Sequence, residues 1–157
     1  MRRIFTYKRR ADAISWYRHH APLVQLPNTR LVNDTDFEFD HIELADAVVI
    51  NRGFGPHEIK LMLRARKAGV PTILDIDDAM FHLPEYNPTR WKPKLDQILD
   101  NHLAALNLAD RVICSTVHLK KLTRNILIRF LEIEAEKVGK SKKAIKAAIK
   151  AAETKFR

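Results

Sequence analysis

The stretch that most constrains this chain is residues 71–81. Thr72, Ile73, Leu74 and Ile76 are apolar or β-branched, and three carboxylates, Asp75, Asp77 and Asp78, stand at the end of the run. A Gly69-Val70-Pro71 turn precedes it, and a helical pattern stops just before that turn. A short apolar run bounded by turn residues reads as a strand buried on both faces of a parallel sheet. In open α/β sheets the carboxyl end of such a strand is where ligands bind. The rest of the chain is therefore read as what brings this strand into a sheet and builds a cleft at its tip.

In chain order, residues 4–7 form a short strand candidate between basic flanks. Residues 11–26 have helical spacing, with Ile14, Tyr17 and Ala21 on one side and Pro22 positioned to bend or restart the helix. A second short strand is expected at 29–32 and a loop at 33–39. Ala47-Val48-Val49-Ile50 is a further apolar strand, ending in the Gly- and Pro-containing loop 51–56. A helix is predicted over 57–68, closed by Gly69. After a loop rich in proline and aromatics comes a strong helix over 94–109, with Leu95, Ile98, Leu99, His102, Leu103, Ala105 and Leu106 in its repeat. Residues 111–116 give the next strand, and a helix starts at 117. Strand and helix alternate in this way in βαβ units with a parallel sheet. Residues 125–130 fit a strand or a buried helical turn equally. Gly139 breaks the pattern, and Ser141 N-caps a last helix carrying an apolar stripe of Ile145, Ile149, Ala152 and Phe156.

The fold class this predicts is a three-layer α/β, Rossmann-like domain with a mainly parallel sheet over residues 1–122. A basic helical extension follows over 123–157. At 157 residues the chain has room for one domain with a real core. No apolar run approaches the roughly 18 residues of a membrane span, and the basic start lacks the apolar region of a secretory signal. The single cysteine, Cys114, rules out an internal disulfide framework and a cysteine-rich metal site. A cytoplasmic protein is the expectation, with peripheral membrane contact through the tail. The charge is lopsided: of the net +9, +8 lies from His118 onward, where 12 of the 28 Lys and Arg stand against 4 of the 19 acids. Such asymmetry suits either a solvated lysine-rich helix or a tail against an anionic surface, a membrane ahead of nucleic acid.

Asp75 and Asp77 are two apart, which in a strand puts them on one face and Asp78 on the other. Two such carboxylates could hold a divalent cation or share a proton. Asp75-Ile76-Asp77-Asp78 resembles the opening motif of haloacid dehalogenase-like phosphatases. That resemblance implies magnesium-dependent hydrolysis, with Asp75 as nucleophile, Asp77 as acid/base and Ser115 or Thr116 as the hydroxyl motif. The loop Asn51-Arg52-Gly53-Phe54-Gly55 lies between strand and helix, where a phosphate-binding turn would lie. It can equally be a turn that projects Arg52 into a cleft. Arg18 could meet an anionic group. His19 and His20 are adjacent and face apart on a helix, so no metal site is expected there.

Several segments together resemble one family. They are Ala45-Asp46-Ala47-Val48-Val49-Ile50-Asn51-Arg52; Arg66-Lys67-Ala68-Gly69-Val70-Pro71; Ile73-Leu74-Asp75-Ile76-Asp77-Asp78 with Phe81, Pro84, Asn87 and Pro88; and Ala109-Asp110-Arg111-Val112-Ile113-Cys114-Ser115-Thr116-Val117-His118-Leu119. With Tyr17, Arg18 and Pro22, they resemble the N-terminal, acceptor-side domain of GT-B-fold glycosyltransferases, of the glycosyltransferase-family-4-like kind. The resemblance covers roughly residues 1–122. It implies transfer of a sugar from a nucleotide-sugar donor without a metal or a resident cofactor. It also implies a second Rossmann-like domain that binds the donor, which is expected here from a partner. The residues it carries into the acceptor cleft are Arg18, Arg52, Asp75, Asp77, Asp78, Ser115 and Thr116, with no catalytic base assigned among them. A non-enzymatic binding module with a basic tail is the remaining alternative.

Overall fold

A computed structural model of the chain describes residues 3–8, 17–18, 21–23, 25–27, 29–33, 39–52, 55–91 and 95–156. Among them, five parallel strands form one sheet in the order β2-β1-β3-β4-β5: β1 (Ile4–Lys8), β2 (Thr29–Asn33), β3 (Ala47–Asn51), β4 (Thr72–Ile76) and β5 (Arg111–Cys114). The strand order reverses between β1 and β3, which makes that boundary the topological switch point. The long helices among the described residues are α1 (Pro56–Lys67), α2 (Leu95–Leu108), α3 (Val117–Lys137) and α4 (Lys142–Thr154). The expected α/β, Rossmann-like class with a parallel sheet and a C-terminal helix is the one observed. Of the helix expected over 11–26, only residues 17–18, 21–23 and 25–26 are described, and Ala21–Leu23 form a helical turn.

Registers explain the layering. Phe5 pairs with Val48, Tyr7 with Ile50, Ile50 with Leu74 and Leu74 with Val112, so these residues share one face. They are buried with Leu61, Met62 and Ala65 of α1 and Ala105 and Leu106 of α2 in one apolar cluster. The opposite face presents Val49, Ile73 and Ile113. β4 lies between β3 and β5, with Leu74 and Ile76 at 0% exposure.

Helix ends show why the elements stop where they do. Gly69, at φ 71°, ends α1 as a left-handed cap: its N–H bonds the carbonyl of Arg66 and the Val70 N–H reaches that of Ala65. Gly139, at φ 63°, does the same for α3. The carboxyl end of α2 has no basic residue of its own in its last turn. Cations come from elsewhere: Arg66 Nη2 donates to the Leu108 carbonyl at 3.1 Å, and Lys155 Nζ to those of Leu106 and Asn107 at 3.3 and 2.5 Å. Burial, with Arg66 nearby, pushes the Lys155 ammonium below its ordinary value, and Asp110 opposes the shift.

The tail is not a separate appendage. The 122/123 boundary expected from the sequence falls inside α3, and residues 125–130 are helical. Beyond α4, the Lys155 carbonyl accepts the outward N–H of Val112 at 2.8 Å, and Phe156 and Ala152 join the core cluster. The lysines that give the tail its charge, Lys142, Lys143, Lys146 and Lys150, stay on the exposed side.

Candidate functional site at the carboxyl ends of the strands β3 and β4

Asn51, the last residue of β3, pairs with Asp75 of β4. Immediately beyond, Arg52 takes a left-handed backbone at φ 69°, which costs a non-glycine residue roughly 1 kcal/mol. Two hydrogen bonds hold it there. Its N–H donates to the Asp75 carbonyl at 2.8 Å, and its carbonyl meets His102 Nδ1 at 3.0 Å. A carbonyl can only accept, so in the neutral ring it is Nδ1 that carries the proton. Burial supports that state: it lowers the His102 pKa to about 4, against a smaller upward pull from the hydrogen bond to Arg52. Phe81 lies against the ring, with centroids 5.3 Å apart.

With its backbone fixed, Arg52 grips Asp77 by two parallel bonds, Nε to Oδ1 at 3.0 Å and Nη2 to Oδ2 at 2.9 Å. Nη2 also lies 3.5 Å from Asp78 Oδ2. The strand ends at Ile76, so face alternation no longer governs Asp77 and Asp78, and both reach the same guanidinium. Asp75 and Asp77, expected to work as a pair, engage different arginines. Asp75 is 4% exposed and engages a different arginine. Arg18 Nε donates to Asp75 Oδ2 at 2.7 Å, and its Nη2 to Oδ1. Arg18 follows β1 in the chain, so this clamp ties the β1 side of the switch point to β4. The bond to Asp75 raises the Arg18 pKa further, against a downward push from burial. Asp78 is raised instead, first by burial and then by the charge of Asp77, while Arg52 opposes the shift.

Of the hydroxyl candidates, Ser115 lies beside this cluster, its Oγ donating to the Asp77 carbonyl at 3.4 Å. Thr116 is structural, since its Oγ1 accepts the Leu119 N–H at 3.0 Å and N-caps α3. Cys114 is half-buried and its thiol is pushed up mainly by that burial, which fits an inert core thiol. His102 is a site residue that the sequence pattern places only in the apolar stripe of α2. Its one distinguishing signal is a titratable ring at a core position of that helix.

Two clamps contain two guanidinium and three carboxylate groups, so the cluster holds one net negative charge when all are ionised. Both arginines are already matched, which leaves little unbalanced positive charge for a phosphate. Asp75, with both oxygens accepting from Arg18, is poorly placed as a nucleophile. Rigid side by side donors and acceptors instead suit the hydroxyl groups of a neutral polyol. Next to them is a cavity of about 430 Å3 lined by Arg18, Asp75 and the sheet residues Ile4, Val49, Ile73 and Ile113. Tyr17, beside Arg18, is 74% exposed, and Tyr86, in the loop leaving β4, is 88% exposed. Among the described residues, no group of three or more His, Cys, Asp or Glu side chains is placed to hold a metal, and no helix is long and apolar enough to cross a membrane.

No family model matches the chain, and no curated protein matches it. Among solved structures, a conserved protein from Enterococcus faecalis V583 is similar at 15% identity, over 82% of this chain and 99% of that one, with a TM-score of 0.47.

Proposed function

We propose that the chain is an acceptor-side, glycosyltransferase-like domain that binds a carbohydrate at the tips of β1, β3 and β4. The observation that carries this reading is the pair of charge-matched clamps, Arg18 with Asp75 and Arg52 with Asp77 and Asp78, beside the switch point of the sheet. The sequence resemblance over residues 1–122 agrees with it. Asp77, Asp78 and the two guanidinium groups orient sugar hydroxyls, while Tyr17 and Tyr86 offer ring faces. Transfer from a nucleotide-sugar donor then needs a second Rossmann-like domain or a partner to hold the donor, and no resident metal or cofactor enters.

The experiment is a titration of the isotopically labelled chain with a panel of oligosaccharides, followed through the arginine Nε–H signals. Glycosyl transfer is assayed in parallel with nucleotide sugars and a candidate partner. Binding that shifts the Arg18 and Arg52 signals and is lost in Arg52→Ala is expected. Absence of saccharide binding, with no transfer when a partner is present, overturns the reading. Transfer by the chain alone would keep the sugar site and remove the need for a partner.

A further inference from the structure

A second cavity, of about 540 Å3, lies outside the carboxylate cluster, between the start of α3 and the end of α4. Val117, Lys120, Lys121 and Arg124 line it from α3, and Glu153 and Phe156 from the far side. Positions 117, 120, 121 and 124 fall on one side of a helix, so three cationic side chains converge on one space. Glu153 is the one acid in that lining, and no ion pair joins it to any of the three among the described residues. The lining therefore holds an excess of two positive charges.

Arg124 is half-buried in this wall. A guanidinium beside two ammonium groups is the donor set that phosphate oxygens take. The volume lies within the roughly 300–1,000 Å3 of small-molecule sites. Packing does not demand these cations, since Lys120 and Lys121 are exposed.

We propose that this cavity binds the terminal phosphate of a phosphomonoester or pyrophosphate ligand, with the Arg124 guanidinium, Lys120 and Lys121 as donors. Such a group can come from a soluble phosphorylated metabolite or from a lipid headgroup. The site is separate from the sugar cleft and stands or falls without it.

The test titrates the labelled protein with inorganic pyrophosphate at low ionic strength. In a second arm, vesicles of phosphatidic acid are compared with vesicles of phosphatidylcholine. Shifts at Arg124 Nε–H and at the amides of residues 120–124 are expected. Arg124→Gln, and separately the double change Lys120→Ala with Lys121→Ala, should each weaken binding about tenfold or more. Lys142→Ala with Lys143→Ala, on the exposed side of α4, should leave it unchanged. Thermal melts confirm that each variant is folded, and the exposed lysine pair keeps the test alive if Arg124→Gln does not fold. Pyrophosphate binding with this variant pattern supports a soluble ligand. Binding confined to phosphatidic acid vesicles, with the same pattern, supports a headgroup. The proposal is overturned if neither probe binds, or if the Lys142 and Lys143 changes cost as much as those at Lys120 and Lys121.

Discussion

Cations occur in two settings in this molecule, and the contrast separates two kinds of site. At the tips of β3 and β4, Arg18 and Arg52 are each clamped by a carboxylate that sits 5% and 10% exposed. In the α3–α4 cavity, Lys120, Lys121 and Arg124 face one another with no matching acid bonded to them among the described residues. The first setting is internally satisfied, so its ligand must compete for hydrogen bonds without adding charge. The second has charge to spare, so an anion gains by entering. A matched cluster contributes to stability and an unmatched one detracts from it, and that difference can be measured.

The largest effect is expected from Asp75→Ala, which leaves Arg18 beside a buried, empty position. Removing one member of a buried pair costs about 3–5 kcal/mol; Arg18 is partly exposed, so a loss of about 2–3 kcal/mol is expected by denaturant unfolding. A change below about 0.5 kcal/mol would place Arg18 with the unmatched cations. Next comes His102, which is neutral when folded and pins Arg52. The unfolded imidazole takes a proton near 6.5 and the folded one near 4. Between those values the unfolded chain binds more protons, so stability is full above 6.5 and falls as pH drops toward 4, by an amount on the order of a few kcal/mol. Unfolding curves across that range check this, and His102→Leu should flatten the dependence.

Arg52 separates backbone from side chain. Arg52→Gly and Arg52→Ala both lose the clamp, but only glycine accepts the left-handed backbone at no cost, so the glycine variant should be more stable by about 1 kcal/mol. Equal stabilities would mean that the backbone relaxes when the side chain is removed. A smaller effect follows at Asp78, whose folded pKa lies above its ordinary 3.8. The folded chain then holds the extra proton as pH rises past 3.8. Stability falls through that window, and the penalty is complete above it. Asp78→Asn should raise the melting temperature slightly at neutral pH and leave it unchanged well below 3.8. The smallest effect is on the unmatched side. Lys120→Ala with Lys121→Ala should change stability by no more than about 0.5 kcal/mol, toward stabilisation, because no native bond is lost. A substantial loss there would show that these lysines are structural.

Much of the fold is legible in the sequence because it rests on local pattern. The apolar runs at 47–50 and 72–76 mark β3 and β4, and the three- and four-residue repeat from Leu95 marks α2. Gly69 and Ser141 mark the ends they are expected to mark. Residues 125–130 are ambiguous in sequence because Ile126, Leu127, Ile128 and Phe130 are apolar on more than one side. Tertiary packing decides there: Leu127 is fully buried, and Phe130 and Leu131 pack on the core. The site residues are visible as types, but their partnerships are not. Arg18 and Asp75 are 57 positions apart, and nothing in local spacing links them. The strand period holds only as far as Ile76, and it says nothing of which arginine each of Asp75 and Asp77 engages. Thr116 resembles a cleft hydroxyl because it follows a strand, yet a threonine directly before a helix is first of all a cap.

The bond from Val112 to the Lys155 carbonyl has a consequence for biogenesis. Arg111, beside it, reaches Thr154 across 43 positions of sequence. At about 5–20 residues per second, β5 is made roughly 2–9 s before the segment that covers its outer edge. In that interval a nascent chain presents an unpaired strand edge, the kind of surface on which other chains align. A slowly translated stretch within α3 would prolong the exposure.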